Sequence, residues 1–245
     1  MTTTRRLDHD QLAAYEHDGF VPLGRIADED QVAALLAAEH RFRPSGGYAL
    51  PGTESRLLVR EQLCDQAEAV RTMCLAGAHV GVLTQLLGPD VAFTHTQFIT
   101  KLPDDTDVES WIPLHQDDGY GTLDPPLDVT VWMALVHTDE RNGCLVVVPG
   151  SHREGLRRHR STDVNPLLLE ADADGAVALP LAAGEAVAFS GLTLHGSGPN
   201  RTDRPRVGMH MRYCHPSVRM LVEGGKPVLE DRHSWMVAGA APAPE

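Results

Sequence analysis

His115, Gln116 and Asp117 form a His-x-Asp step. In extended backbone, residues i and i+2 point the same way, so an imidazole nitrogen and a carboxylate oxygen can reach one metal ion. A third ligand has to come from elsewhere in the chain. His195 is the best placed, because it follows the apolar stretch Ala186–Phe189 and precedes the turn Gly196-Ser197-Gly198. Two imidazoles and a carboxylate on one face leave the opposite positions open, which suits a non-haem Fe(II) that binds a cosubstrate and O2. Plainer explanations stand beside this one. The chain has 13 histidines, so a chance His-x-Asp is easy to find. A loop histidine bonded to its neighbouring aspartate, or a structural histidine before a Gly-Ser-Gly turn, would look the same.

A further residue narrows the choice. Arg206 opens a stretch in which Val207, Met209, Met211 and Tyr213 alternate with Gly208, His210 and Arg212. In a strand, Arg206, Gly208, His210 and Arg212 share one face. If that face points inward, Arg206 is a buried cation in need of an anion, and its planar fork matches a carboxylate through two hydrogen bonds. The distal carboxylate of 2-oxoglutarate would supply it. A surface arginine on an edge strand is the alternative, and Arg201 and Arg204 are the other candidates for the role.

These residues need a frame of strands. Apolar runs predict strands at Val91–Lys101, Val129–Val136, Leu145–Val148, Ala178–Leu181, Ala186–Phe189 and Arg206–Tyr213. Turn residues separate them, among them Asp124-Pro125-Pro126, Asn142-Gly143 and Pro149-Gly150-Ser151. The first ninety or so residues read as helical. Asp8 with Gln11 makes a capping signal, Gly19 a stop, and Leu12 and Tyr15 an apolar face. A second helix is expected from near Asp28, carrying Val32, Leu35 and Leu36. Two more are expected at Leu57–Leu63 and at Gln66–Leu87, with a break near Gly77. The fold expected is mainly β with flanking helices: a jelly roll (double-stranded β-helix, cupin-like) in one domain over 1–245. Within it, 1–90 form the flank, 91–215 the core and 216–245 a C-terminal extension ending in a frayed tail, AGAAPAPE.

Composition excludes several classes. The net charge of -13 argues against nucleic acid, which needs a basic face. No apolar run approaches a membrane span, and Arg5-Arg6 is followed by no apolar signal segment. Cys64, Cys74, Cys144 and Cys214 form no CxxC pair, which points to buried free thiols in a reducing cytoplasm.

The sequence resembles the phytanoyl-CoA dioxygenase family of Fe(II)/2-oxoglutarate-dependent oxygenases. The resemblance runs in order from about residue 10 to 213. It is carried by Tyr15 to Val21, His115-Gln116-Asp117, Val131 to Leu135, Asn142 to Leu145, Pro149 to His152, His195-Gly196-Ser197, Asn200-Arg201 and Arg206. It implies the jelly roll independently of the pattern above. It implies His115, Asp117 and His195 as iron ligands, and 2-oxoglutarate and O2 as cosubstrates. Arg206 and Ser197 would then hold the far carboxylate of 2-oxoglutarate. His95 and Gln97, on the face shared with Ile99 and Lys101, would touch the cosubstrate, and Trp132 would pack against it. Halogenating relatives lack the metal carboxylate, so Asp117 argues against halogenation.

The substrate is less legible. A small molecule of bacterial secondary metabolism is expected by analogy, with hydroxylation, cyclisation, epimerisation or desaturation as outcomes. Asp118, Tyr120 and His210 are candidates for its side of the pocket, and Lys101 for the pocket rim. The acidic stretch 104–109 and the basic stretch 153–160 flank the entrance in such a fold. Oligomeric state has no signature. Two other readings stay open: a cupin-like hydrolase or isomerase that works without O2, and a non-catalytic small-molecule binder.

Overall fold

The computed structural model describes residues 4–43, 56–61, 63–104, 110–120, 122–159, 174–221, 227–228 and 235–240. The chain opens with α1 (His9–Asp18), β1 (Phe20–Arg25), α2 (Glu29–Phe42), β2 (Leu57–Glu61), α3 (Glu68–Ala76) and α4 (Val80–Leu86). The strands β3 (Val91–Lys101), β4 (Ile112–His115), β5 (Thr122–Asp124), β6 (Asp128–Ala134) and β7 (Leu145–Val147) follow. Then come β8 (Val177–Leu179), β9 (Glu185–Ser190), β10 (His195–Ser197) and β11 (Arg206–Cys214). The last are β12 (Arg219–Leu221), β13 (Pro227–Val228) and β14 (Trp235–Ala238).

The expected capping signal of α1 is present. The Asp8 carboxylate accepts from the Gln11 amide while the Gln11 side chain accepts from the Asp8 amide, and Gly19 closes the helix at φ +82°. Asp28 and Gln31 make the same box at α2. The helical pattern after Gln66 does break at Gly77, giving α3 and α4.

A seven-stranded antiparallel sheet runs β1-β9-β6-β11-β3-β14, with β2 also on β3, and a smaller sheet runs β4-β10-β7-β8. Two sheets of this kind are the jelly roll, so the expected mainly β fold with flanking helices is what forms. The large sheet is buried on both faces. Val207, Met209, Met211 and Tyr213 of β11 pack with Val32, Leu35, Val70, Met73, Val82 and Leu83 of the helices. On the other face, Trp132, Val187 and Phe189 pack with Leu145 and Val147 of the small sheet. Each such side chain contributes roughly 1.5–3 kcal/mol on burial.

Two expectations are corrected. Leu57–Leu63 is not a helix, because Leu57 to Glu61 pair with Lys101 to Gln97 of β3. The free edge of β3 offers a ladder of hydrogen bonds, and alternation buries Leu57 and Val59, so tertiary pairing overrides an ambiguous Leu-Leu-Val run. The frayed tail also starts later than expected. Ala238 pairs with Val91, and the Ala240 amide donates to Asp90 at 2.9 Å; residues 241–245 lie outside the described residues. All four cysteines are buried free thiols, and among the described residues no helix is long and apolar enough to cross a membrane.

Candidate active site

The small sheet presents the two histidines. β4 and β10 pair antiparallel with His115 directly opposite His195, which brings their ring centroids to 4.2 Å. Each ring places Nδ1 2.9 Å from the carbonyl two residues back, His115 at Pro113 and His195 at Thr193. Nδ1 therefore carries the hydrogen and Nε2 turns its lone pair inward. Burial pushes His115 down to about 4 and lowers His195 as well, so both rings are neutral donors at neutral pH.

Asp117 starts a short 3-10 turn just past β4 (Asp117–Tyr120). Its Oδ1 lies 3.9 Å from His115 Nε2 and 3.6 Å from His195 Nε2, and the three ligand atoms fall within 4.8 Å of one another. Its other oxygen is engaged: Oδ2 accepts from Thr130 Oγ1 at 2.6 Å and from His210 Nε2 at 3.2 Å. Burial opposes the Asp117 charge, but His195, His210 and Arg212 outweigh it and hold the carboxyl well below the usual range. Two neutral imidazoles and one free carboxylate oxygen converge on a point, a donor set that fits Fe(II).

The metal turn is tied down on both flanks. Gln116 donates to the Gly155 and Leu192 carbonyls at 2.9 and 2.7 Å, and its Oε1 accepts from the Arg157 amide at 2.7 Å. Its own amide donates to His159 Nε2 at 3.1 Å. On the other flank, Arg212 reaches both Asp118 and Asp128, the latter at 2.6 Å. Burial and the Asp128 carboxylate push Asp118 up to about 8 against the pull of Arg212. Arg212 is the cation that both carboxyls share.

The N-terminal motif braces the same place from outside. Thr193 Oγ1 donates to the Gly19 carbonyl at 2.8 Å, and the Gly150 amide donates to the Asp18 carbonyl at 2.8 Å. A Cβ on Gly19 would meet His152 and Thr193 side chains at 2.4 and 2.6 Å, so only glycine fits there. Tyr15–Val21 and Pro149–His152 therefore support the segment leading into His195.

Beyond the triad, β11 points Arg206 into the same interior. It is 1% exposed. Nε and Nη2 donate to the Gly143 carbonyl at 3.1 and 2.8 Å, and Nη2 to Ser197 Oγ at 3.3 Å. The guanidinium lies 5.3 Å from the Trp132 ring centroid, and a Cβ on Gly208 would collide with that indole. Burial lowers Arg206 to about 10, which leaves it charged at neutral pH. Among the described residues no carboxylate pairs with it.

The structure thus brings His115, Asp117, His195, Ser197, Arg206, Trp132 and His210 to one interior. His95 is half-buried, with its ring centroid 6.1 Å from that of His210, and Gln97 pairs in register with His210. Asp118 is 1% exposed and turned to Arg212. Tyr120 closes the 3-10 turn, and its side chain lies outside the described residues. Lys101 is not at a rim: it is 0% exposed. Residues 105–109 of the acidic stretch and 160 of the basic one lie outside the described residues. Thr130, Asp128 and Arg212 carry structure around the triad without having been singled out from the sequence. Their signal was available, since polar residues in a strand buried on both faces need partners.

Comparison with known proteins identifies the family and the fold. The profile of the family described as Phytanoyl-CoA dioxygenase (PhyH) matches residues 15–208. The peroxisomal phytanoyl-CoA dioxygenase of Rattus norvegicus is 30% identical over 233 residues, covering 84% of this chain and 68% of that protein. Among solved structures, the epimerase SnoN in complex with Fe3+, alpha ketoglutarate and nogalamycin RO aligns with a TM-score of 0.75 at 21% identity, over 91% of this chain and 96% of that one. EvdO2 of Micromonospora carbonacea var. aurantiaca, complexed with 2-oxoglutarate, aligns with a TM-score of 0.66 at 25% identity, over 96% and 100%.

Proposed function

Because the chain belongs to the phytanoyl-CoA dioxygenase family and is an Fe(II)- and 2-oxoglutarate-dependent dioxygenase, we propose that it oxidises an unactivated C–H bond of a small molecule in bacterial secondary metabolism. One observation carries the reading: the His115–Asp117–His195 cluster and the carboxylate-free guanidinium of Arg206 open onto one interior. A hydrolytic metal site has no use for such an arginine. The binding of nogalamycin RO by SnoN supports a tailoring role on a natural product.

In this assignment His115 Nε2, Asp117 Oδ1 and His195 Nε2 would hold the iron. With 2-oxoglutarate and O2, the bound iron supplies C–H oxidation coupled to release of succinate and CO2. Arg206 and Ser197 hold the distal carboxylate, and the Trp132 indole forms the wall beside them. His95 and Gln97 line the cosubstrate side of β3. Thr130 and His210 engage Asp117 Oδ2 and leave Oδ1 as the oxygen that would ligate a bound iron. The buried walls of β6 and β9 exclude water, and Tyr120 is kept as a candidate for the substrate side by its place on the metal turn. The whole chain acts as one domain, and its four reduced thiols suit the cytoplasm.

A screen of polycyclic, sugar-bearing and amino-acid-derived compounds for substrate-dependent succinate tests this. His115→Ala and Asp117→Ala are expected to abolish succinate formation with an unchanged melting temperature. Normal turnover in either variant would refute the ligand assignment.

A further inference from the structure

The triad draws on both sheets. His115 and His195 sit on β4 and β10 of the small sheet. Asp117 lies past the end of β4, and its carboxylate is held from the large sheet: Oδ2 accepts from Thr130 of β6 and from His210 of β11. The three ligand atoms therefore meet only if the metal turn stands at a fixed distance from the large sheet. Arg212 reaches across that distance. It pairs in register with Thr130 and lies two positions past His210, so both side chains leave the same face of β11. Nε donates to the Asp128 carboxylate at 2.6 Å, Nη2 to Asp118, and Nη1 to the Asp117 carbonyl at 3.4 Å. All three nitrogens of the guanidinium are thus used, one on its own sheet and two on the metal turn.

The two aspartates are buried, and among the described residues no second cation pairs with either. They are also backed by the chain that leads to the other ligand. The Asp118 amide donates to the Gly191 carbonyl at 3.2 Å. A Cβ on Gly191 would meet Asp128 oxygens at 2.4 and 2.5 Å and Asp118 Oδ1 at 2.6 Å. Gly191 stands in the turn between β9 and β10, just ahead of His195. The carboxylate pair is therefore wedged between the guanidinium and the backbone of that turn, where any side chain would push it out.

We propose that Arg212 is a positioning residue for the metal carboxylate: its guanidinium fixes the metal turn to the large sheet and so sets where Asp117 meets the two imidazoles. This rests on the metal-ligand assignment above. The role differs from that of Thr130 and His210. Those two hold one oxygen of the Asp117 carboxylate, whereas Arg212 locates the backbone that carries it. The shape of the group matters here more than its charge. A lysine would bring an ammonium to a single point and could not span two carboxylates and a carbonyl, which the planar fork does.

The test is titration of the full chain with Co(II), followed by calorimetry and by the visible absorption of the bound ion. Arg212→Lys keeps a cation beside the aspartates and loses the fork. It should weaken Co(II) binding about tenfold and change the visible spectrum. In an Asp117→Ala background the same substitution should have no further effect, because Arg212 acts through Asp117. Asp118→Asn, which keeps an acceptor for Nη2, guards against a lysine variant that fails to fold; it should show a smaller loss with a spectral change of the same kind. A parent-like affinity and spectrum in Arg212→Lys, or in Asp118→Asn should the lysine variant not fold, would overturn the proposal. So would an undiminished loss in the Asp117→Ala background, which would mean that Arg212 acts on the fold at large. A parent protein that binds no Co(II) would instead sink the metal-ligand assignment.

Discussion

The inner face of β11 is finished differently at its two ends. At the His210–Arg212 end, charges meet their opposites inside the protein: Arg212 bridges Asp118 and Asp128, and His210 with Thr130 satisfies one oxygen of Asp117. At the Arg206 end, the guanidinium and the Lys101 ammonium bond only to carbonyl oxygens and a hydroxyl. The same strand gives its cation carboxylate partners at one end, where Arg212 is partly buried, and none among the described residues at the other, where Arg206 is fully buried. Burying an unpaired charge costs several kcal/mol, so the second arrangement persists where a ligand completes it. The first end shapes the metal, and the second selects what joins it.

Substitutions can separate the two ends. The largest effect is expected from Arg212→Met, which leaves Asp118 and Asp128 without their cation. It should lower unfolding stability by about 3 kcal/mol, read from urea denaturation. Stability equal to that of the parent would mean that the cluster is not complete in the sense described. Arg206→Ala comes next. It should weaken 2-oxoglutarate binding by roughly thirtyfold, the scale of a lost charge-assisted pair, and leave Co(II) affinity in place; loss of both would show that the ends are not independent. The smallest is His210→Ala. It should cost about tenfold in Co(II) affinity by freeing Asp117 Oδ2, with a changed visible spectrum of the cobalt site as the ion takes both oxygens. An unaltered spectrum would assign the orientation of Asp117 to Thr130 alone.

The long strands were legible because they are long. β6 and β9 are mostly apolar and almost wholly buried, and β3 and β11 are long strands with apolar residues buried along them, so neither turn chemistry nor pairing could move them far. The caps of α1 and the break at Gly77 were legible because a few local hydrogen bonds decide them. β2 was not, since Leu57-Leu58-Val59 satisfies a helical or an extended pattern, and only the open edge of β3 decides between them. The strands that carry the histidines, β4 and β10, have four and three residues. They are set by pairing with each other rather than by periodicity. In the site, the His-x-Asp step and Arg206 stood out by residue type. Lys101 was misplaced at a rim, because alternation gives a side chain's face but not the turn folded over it. Thr130, Asp128 and Arg212 act through partners some 13 to 95 positions away, which no local window contains.

The ties from His115 and His195 to their own backbone carbonyls fix how both rings are turned. Neither ring has to flip, and neither has to give up a proton, before a cation is caught. The two backbone ties thus leave both Nε2 atoms aimed at one point, a preorganised half of a ligand set that the fold itself holds in place.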